Sequence, residues 1–189
     1  MFRKTLFALS LSSLALTSAA VAQSLPKPAV LPPAEVAADL SNRLTLALDN
    51  GKSVVIQLRP DVAPGHVERI KTLVRRGFYD GLPFHRVIPG FMAQGGDPKG
   101  NGTGGSELPD LKAEFSEMPY MRGTAAMARS ESPDSANSQF FIMFSPNMQL
   151  WGKYTVFGRV ISGMDAVDAI AVGEPPEVPT KIVKATLGA

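Results

Sequence analysis

Two histidines, no cysteine and a scatter of arginines and carboxylates limit what this 189-residue chain can do chemically. Without cysteine there are no disulfides, thiolate zinc sites, iron–sulfur clusters, thiol nucleophile or lipid-modified cysteine. His66 and His85 are too few for an all-histidine metal centre, and neither falls in an H-E-x-x-H pattern. His66 lies on the polar side of an expected helix and reads as solvated. His85, between Phe84 and Arg86 in an expected strand, reads as a hydrogen-bonded core residue rather than a base. Gly100-Asn101-Gly102-Thr103-Gly104-Gly105 has the spacing G-x-G-x-x-G, but a phosphate cradle also needs a preceding strand and a helix opening on the last glycine. Pro98 precedes it and Ser106-Glu107-Leu108-Pro109 follows, so it reads as a tight loop. Asn101-Gly102-Thr103 is a glycosylation sequon by pattern only. There is no G-x-S-x-G elbow and no Walker loop. None of these patterns by itself assigns a chemistry.

The elements that must position these residues follow from periodicity. Leu44, Leu46 and Leu48 alternate with Thr45, Ala47 and Asp49, and Val54, Ile56 and Leu58 with Ser53, Val55 and Gln57. Asn50-Gly51 between them is a strong hairpin signal, expected as a type I′ turn with positive φ at both residues. The period then changes. Val67, Ile70, Leu73 and Val74 share a helical face over 64–76, with Pro64 in the first turn and Gly77 as C-cap. Further strands are expected at 83–88, 91–94, 123–128, 138–144 and 154–161. A second helix is expected at 164–171, with Met164, Val167 and Ile170 on one side. A last strand covers 181–187, with Val183, Ala185 and Leu187 on one face. Eight strands and two helices imply a mainly β fold: a closed or nearly closed eight-stranded antiparallel barrel flanked by two α-helices.

The chain reads as one folded domain over 41–189, preceded by two segments of other character. Arg3 and Lys4, the apolar run Leu6 to Leu16 and the small-x-small Ala20-Val21-Ala22 form a signal peptide over 1–22, with cleavage expected before Gln23. Residues 23–40, with Pro26, Pro28, Pro32 and Pro33, read as an extended tether. The formal charge of +2 belongs to the leader. Without Arg3 and Lys4 the balance is zero, and nothing resembles a nucleic-acid footprint. No later run is long enough to span a membrane, so a soluble periplasmic or secreted product is expected.

One stretch is far more specific. Phe84-His85-Arg86-Val87-Ile88-Pro89-Gly90-Phe91-Met92-Ala93-Gln94-Gly95-Gly96-Asp97 resembles the signature of the cyclophilin family of peptidyl-prolyl isomerases. The resemblance continues through Asn101 to Gly105, Met127-Ala128, Ser138-Gln139-Phe140-Phe141-Ile142, Val156-Phe157-Gly158-Arg159-Val160 and Gly163-Met164. It runs in order from about residue 43 to 187. It implies an eight-stranded barrel capped by two helices, and a role for individual positions. Arg86 stands at the catalytic arginine. Phe91, Met92, Phe141 and Leu150 match the walls of the proline pocket. Gln94 and Gln139 match residues that position the peptide and the arginine. Ala128, Arg129 and Ser130 match the segment lying along the peptide, the latter two acting mainly through backbone groups. Tyr154 stands where eukaryotic members often carry a histidine. Gln149 replaces a common tryptophan, and Trp151 follows Leu150 instead; these departures resemble bacterial exported members.

The implied reaction needs no metal, cofactor or nucleophile. An X–Pro bond is held planar by a barrier of about 18–20 kcal/mol and exchanges in roughly tens to hundreds of seconds. When it twists, the prolyl nitrogen regains a lone pair that a guanidinium can donate to, an interaction present only in the transition state. Acceleration from ~100 s to ~1 ms needs roughly 7 kcal/mol, whereas a charge-assisted hydrogen bond contributes about 1.5–3 kcal/mol. The apolar pocket and the grip on the flanking peptide must supply the rest. The expectation is a monomeric isomerase acting on proline-containing, exported polypeptides. The alternative is a binding module or chaperone that holds such segments without turnover.

Overall fold

The computed structural model describes residues 30–188. The leader and the first part of the proline-rich arm lie outside the described residues. The rest of that arm is not extended: α1 (Ala34–Ala38) is followed by a 3₁₀ turn at Leu40–Asn42. Its carbonyls satisfy groups of the domain, Val36 O accepting from Gln57 Nε2 at 3.3 Å and from Asn42 Nδ2 at 3.2 Å.

Alternation builds the first hairpin. Leu44, Leu46 and Leu48 of β1 (Arg43–Leu48) and Val54, Ile56 and Leu58 of β2 (Ser53–Leu58) are all buried. The turn lies at Asn50-Gly51, but only Gly51 has positive φ, at 79°. Gly51 N–H donates to Leu48 O at 3.1 Å, which makes a type I turn closed by a left-handed glycine rather than type I′. The Asn50 side chain accepts from Lys52 N–H at 3.0 Å, so its carboxamide takes up a turn donor without positive φ.

Helix α2 (Pro64–Arg75) buries Val67, Ile70, Leu73 and Val74 as its period requires. Its N-terminus is capped from a distant loop. The Glu114 carboxylate accepts from Gly65 N–H and His66 N–H at 3.0 Å each, and lies 2.6 Å from His66 Nδ1. A negative charge there satisfies orphan donors and complements the helix dipole. The same loop covers His66, which is fully buried and not solvated. Burial pushes its imidazole below the ordinary value against the pull of Glu114, so the ring is neutral at pH 7 and donates from Nδ1.

The remaining elements are β3 (Arg86–Ile88), β4 (Met92–Gly95), β5 (Thr124–Met127), β6 (Phe140–Met143), β7 (Val156–Ser162), α3 (Met164–Asp168) and β8 (Ile182–Leu187). The strands form one antiparallel sheet, in the order β3-β4-β6-β5-β7-β2-β1-β8. The sheet curls into a half-barrel but does not close, contrary to the closed barrel expected. Its edges β3 and β8 do not pair as strands. Residues 81–84 reach the start of β8 through Gly81 N–H to Ile182 O, Ile182 N–H to Leu82 O and Phe84 N–H to Thr180 O. Pro83 faces Lys181 in a single bridge, and the pairing goes no further because Leu82 N–H turns back to Tyr79 O at 3.2 Å.

Two further expectations are corrected. Helix α3 ends at Asp168 because later donors are diverted, Ala171 N–H to Thr180 Oγ1 and Gly173 N–H to Val87 O, both at 3.0 Å. In β8 a register shift against β1 pairs Ala47 with Lys184 and Leu48 with Ile182. Val183 is the extra residue and swings into solvent, while Ile182 and Ala185 face the core.

Strands β4 to β6 are buried on both faces. One face joins a mainly aliphatic interior with α2 and α3. The other carries Met92, Ala126, Phe141 and Met143, which pack with Met118, Tyr120 and Val156.

Candidate active site

The site grows from the β3–β4 hairpin. Phe91 N–H donates to Ile88 O at 3.0 Å, and Gly90 has φ 71°, so Ile88-Pro89-Gly90-Phe91 fits a type II turn with proline and glycine in their favoured places. That turn fixes the register in which Arg86 faces Gln94 and Ile88 faces Met92. The next ladders extend the row, Gln94 facing Phe141 and Phe141 facing Ala126. Period-two geometry therefore lines a guanidinium, a carboxamide, an aromatic ring and a methyl group along one face. A row further on, Met92 faces Met143.

These side chains open on a cleft of about 150 Å³ lined by Arg86, Phe91, Met92, Gln94, Ala128, Arg129, Phe141, Leu150 and Tyr154. Phe141 is held between two tyrosines. Tyr120 stacks on it at 6.5 Å between centroids, and Tyr154 meets it edge-on at 5.6 Å. Tyr120 Oη donates to Tyr154 O at 2.7 Å and thereby fixes the wall. Burial pushes the Tyr120 phenol far above its ordinary value, so it stays a neutral donor. The Arg129 side chain folds over Tyr154, its guanidinium carbon 4.6 Å from the ring centroid. It donates to Lys153 O, Ser130 O and Glu131 O at 2.8–3.1 Å. The Arg129 side chain thus also shapes the cleft. Leu150 arrives on a 3₁₀ turn at Met148–Leu150, which Asn147 caps by accepting from Gln149 N–H. Gln149 and Trp151 are not part of the lining.

Gln94 and Gln139 form a bridge to a second hollow. Gln94 Nε2 donates to Gln139 Oε1 at 2.9 Å, and Gln139 Nε2 donates to Gly102 O and Gly104 O at 3.0 and 2.8 Å. The hollow, about 440 Å³, is polar and includes Ser130, Ser106 and Asn137. Ser130 is tied to Ser135, whose Oγ accepts from Ser130 N–H at 2.9 Å. The glycine-rich loop is indeed a tight loop, and it cradles an anion of its own. Lys99, Asn101 and Gly102 N–H groups donate to the buried Asp97 carboxylate at 2.8, 3.0 and 2.6 Å. Burial alone would raise the Asp97 carboxyl, but these backbone donors outweigh it and hold it below the usual range. A Cβ on Gly104 would run into Asp97 Oδ1, so only glycine closes the loop so tightly.

His85 is buried beside this loop, but neither ring nitrogen has a hydrogen-bond partner among the described residues. The hydrogen-bonded state expected for it is not found, because Asp97 is occupied with backbone donors. Burial, aided by the nearby Arg86 and opposed by Asp97, pushes the imidazole down. Among the described residues no cluster of carboxylates and histidines could hold a metal ion, and no helix is long and apolar enough to cross a membrane.

Of the residues expected at a site, nine line the cleft, while Gln139 and Ser130 line the adjoining hollow. Gln94 is bonded to Gln139 rather than to the arginine. The partner of Arg86 is Glu174, whose Oε2 lies 2.8 Å from Nε. Sequence reading missed Glu174 and Glu114, since each reaches its partner from a distant loop with no periodicity or motif.

A cleft with arginine at its mouth, and no carboxylate, histidine or thiol in its lining, suits recognition of a peptide by hydrogen bonds and apolar contact. Comparison with known proteins narrows that class. The family model for cyclophilin type peptidyl-prolyl cis-trans isomerases matches residues 43–187, and the chain belongs to this family. It is a peptidyl-prolyl cis-trans isomerase. A probable peptidyl-prolyl cis-trans isomerase of Brucella suis is 56% identical over 169 residues, 81% of this chain and 86% of that one. Peptidyl-prolyl cis-trans isomerase B of Bacillus subtilis is 41% identical over 128 residues, 67% and 89% of the two chains. The crystal structure of a cyclophilin from Hirschia baltica superposes with a TM-score of 0.73 at 31% identity, over 79% of this chain and 74% of that one. A Cryptosporidium parvum cyclophilin solved in the presence of the dipeptide Ala-Pro gives 0.72 at 29% identity, over 77% and 98%.

Proposed function

We propose that Arg86 is the catalytic donor, that the apolar cleft receives the proline ring, and that the clients are exported polypeptides. The observation that carries the reading is the cross-strand row in which Arg86, Gln94 and Phe141 stand side by side. A proline ring against Phe91, Met92, Phe141 and Leu150 brings its amide nitrogen beside a guanidinium. In the planar amide that nitrogen's lone pair is delocalised and cannot accept; in the twisted amide it can. Donation then favours the transition state over both ground states, which is what acceleration requires. The twisted amide is also less dipolar, so the apolar wall costs it less. Gln94, Gln139, Ala128, Arg129 and Ser130 hold the flanking peptide while the other side turns, and Tyr154 supports the wall. Every one of these residues comes from a single chain, so a monomer suffices.

Export rests on the charged, apolar and small-residue pattern of residues 1–22. Intact mass of the protein recovered from the cell envelope is expected to begin at Gln23; a product retaining Met1 contradicts export by cleavage. The cleft assignment is tested by NMR titration with a proline tetrapeptide and its alanine analogue. Backbone signals of Phe91, Gln94, Ala128 and Phe141 are expected to shift with the former and not the latter. Equal shifts with both, or shifts elsewhere on the sheet, contradict it.

A further inference from the structure

Arg86 lies on an edge strand, flanked on one side by β4 and on the other by the segment leading out of α3. That segment is clamped to β3 by a reciprocal pair of backbone hydrogen bonds, Val87 N–H to Gly173 O at 2.8 Å and Gly173 N–H to Val87 O at 3.0 Å. The next residue, Glu174, thereby stands beside the neighbour of Val87. Its Oε2 accepts from Arg86 Nε at 2.8 Å. Glu174 is not part of the cleft lining, whereas Arg86 is. The carboxylate therefore takes the Nε edge of the guanidinium, and among the described residues no other hydrogen bond to this guanidinium is present. Both terminal nitrogens are left for whatever occupies the cleft.

We propose that Glu174 is a positioning residue for the isomerase reaction, holding Arg86 by Nε so that its terminal nitrogens face the bound prolyl bond. The inference rests on the assignment of Arg86 as catalytic donor. An arginine with 40% of its side chain exposed has many rotamers, and most would aim the fork into solvent. Ordering it only at the transition state would subtract from catalysis. A short, charge-assisted bond made in the free enzyme moves that ordering to the folding step. The backbone clamp at Val87 and Gly173 is what makes the tether stiff, because it fixes the origin of the Glu174 side chain relative to β3.

The test is a double-mutant cycle read by protease-coupled isomerisation of a proline tetrapeptide, with melting temperature as the check on folding. Glu174→Ala is expected to lower kcat about 3- to 10-fold, between the weight of a partly exposed ion pair and that of a misplaced catalytic group. KM should stay within about twofold and the fold should stay intact. Glu174→Gln, which keeps an acceptor oxygen, should recover part of the loss. In an Arg86→Ala background Glu174→Ala should cost nothing further. The NMR signal of the Arg86 Nε–H, read without substrate, should be sharp in the wild type and broadened by exchange in Glu174→Ala. An unchanged kcat in folded Glu174→Ala, or the same loss with and without Arg86, overturns the role of Glu174 while leaving that of Arg86 standing. Full turnover in Arg86→Ala overturns both.

Discussion

Phe140 and Phe141 are neighbours in the chain, are both buried, and belong to opposite sides of the sheet. Phe140 meets Tyr79, Phe84 and Phe157 edge-on at 5.6–6.3 Å, inside a sealed interior. Phe141 lies between Tyr120 and Tyr154, in a smaller group containing Met92, Met118 and Met143, and one side of that group opens on the cleft. The interior is filled from all directions, as folding requires. The cleft side stops short of filling, and its apolar lining is the Met92 thioether, the rings of Phe91, Phe141 and Tyr154, Ala128 and Leu150. Burial alone does not distinguish packing from binding. What distinguishes them is whether polar groups rim the apolar wall.

The largest effect should come from breaking the interior. Phe140→Ala is expected to destabilise the fold by about 3–5 kcal/mol in urea unfolding, through lost burial and a cavity with no route to collapse. Phe141→Ala should cost less stability, because its side borders an existing cleft, yet weaken turnover more. Equal stability losses with equal activity losses would erase the distinction between the two faces.

A smaller effect sharpens the contrast from outside the cleft. Glu114→Ala removes the distant cap of α2 and the partner of His66, and should cost about 1–2 kcal/mol. The catalytic parameters should not move, since among the described residues the Glu114 side chain bonds only Gly65 and His66, neither of which lines the cleft. The two buried histidines give stability a pH dependence. His66 and His85 both lie below their ordinary value of 6.5 in the folded state, so the unfolded chain binds more protons. Their contribution is fully present above pH 6.5 and is lost as pH falls below it toward the folded values. Thermal melts between pH 7.5 and 5.5 should show a falling midpoint, while kcat/KM changes little between pH 6 and 8. A midpoint that rises on acidification contradicts the account.

Much of this was legible in the sequence, for reasons that differ by element. The leucines of β1 and the face of α2 were readable because one period governs each. The strands on either side of Pro89-Gly90 were expected at 83–88 and 91–94; the register that sets Arg86 opposite Gln94 follows from the turn in the structure. His66 was misread because helical periodicity reports a face, not what a distant loop lays over it. Val183 was misread because a bulge breaks the alternation that placed it. The open edge between β3 and β8 turns on one local choice, Leu82 N–H going back to Tyr79 O, which no periodicity reports. Glu174 was invisible, as it meets Arg86 only because Gly173 pairs with Val87 across most of the domain.

The central claim is that a guanidinium donor beside an apolar wall performs the rotation, and replacing Arg86 tests it most directly. Protease-coupled isomerisation by Arg86→Ala, with unchanged circular dichroism and melting temperature, should show kcat/KM lower by about 10- to 150-fold, the share of one charge-assisted hydrogen bond. Arg86→Lys should not restore the full rate, because an ammonium lacks the planar fork. Wild-type turnover in a folded Arg86→Ala protein would contradict the account.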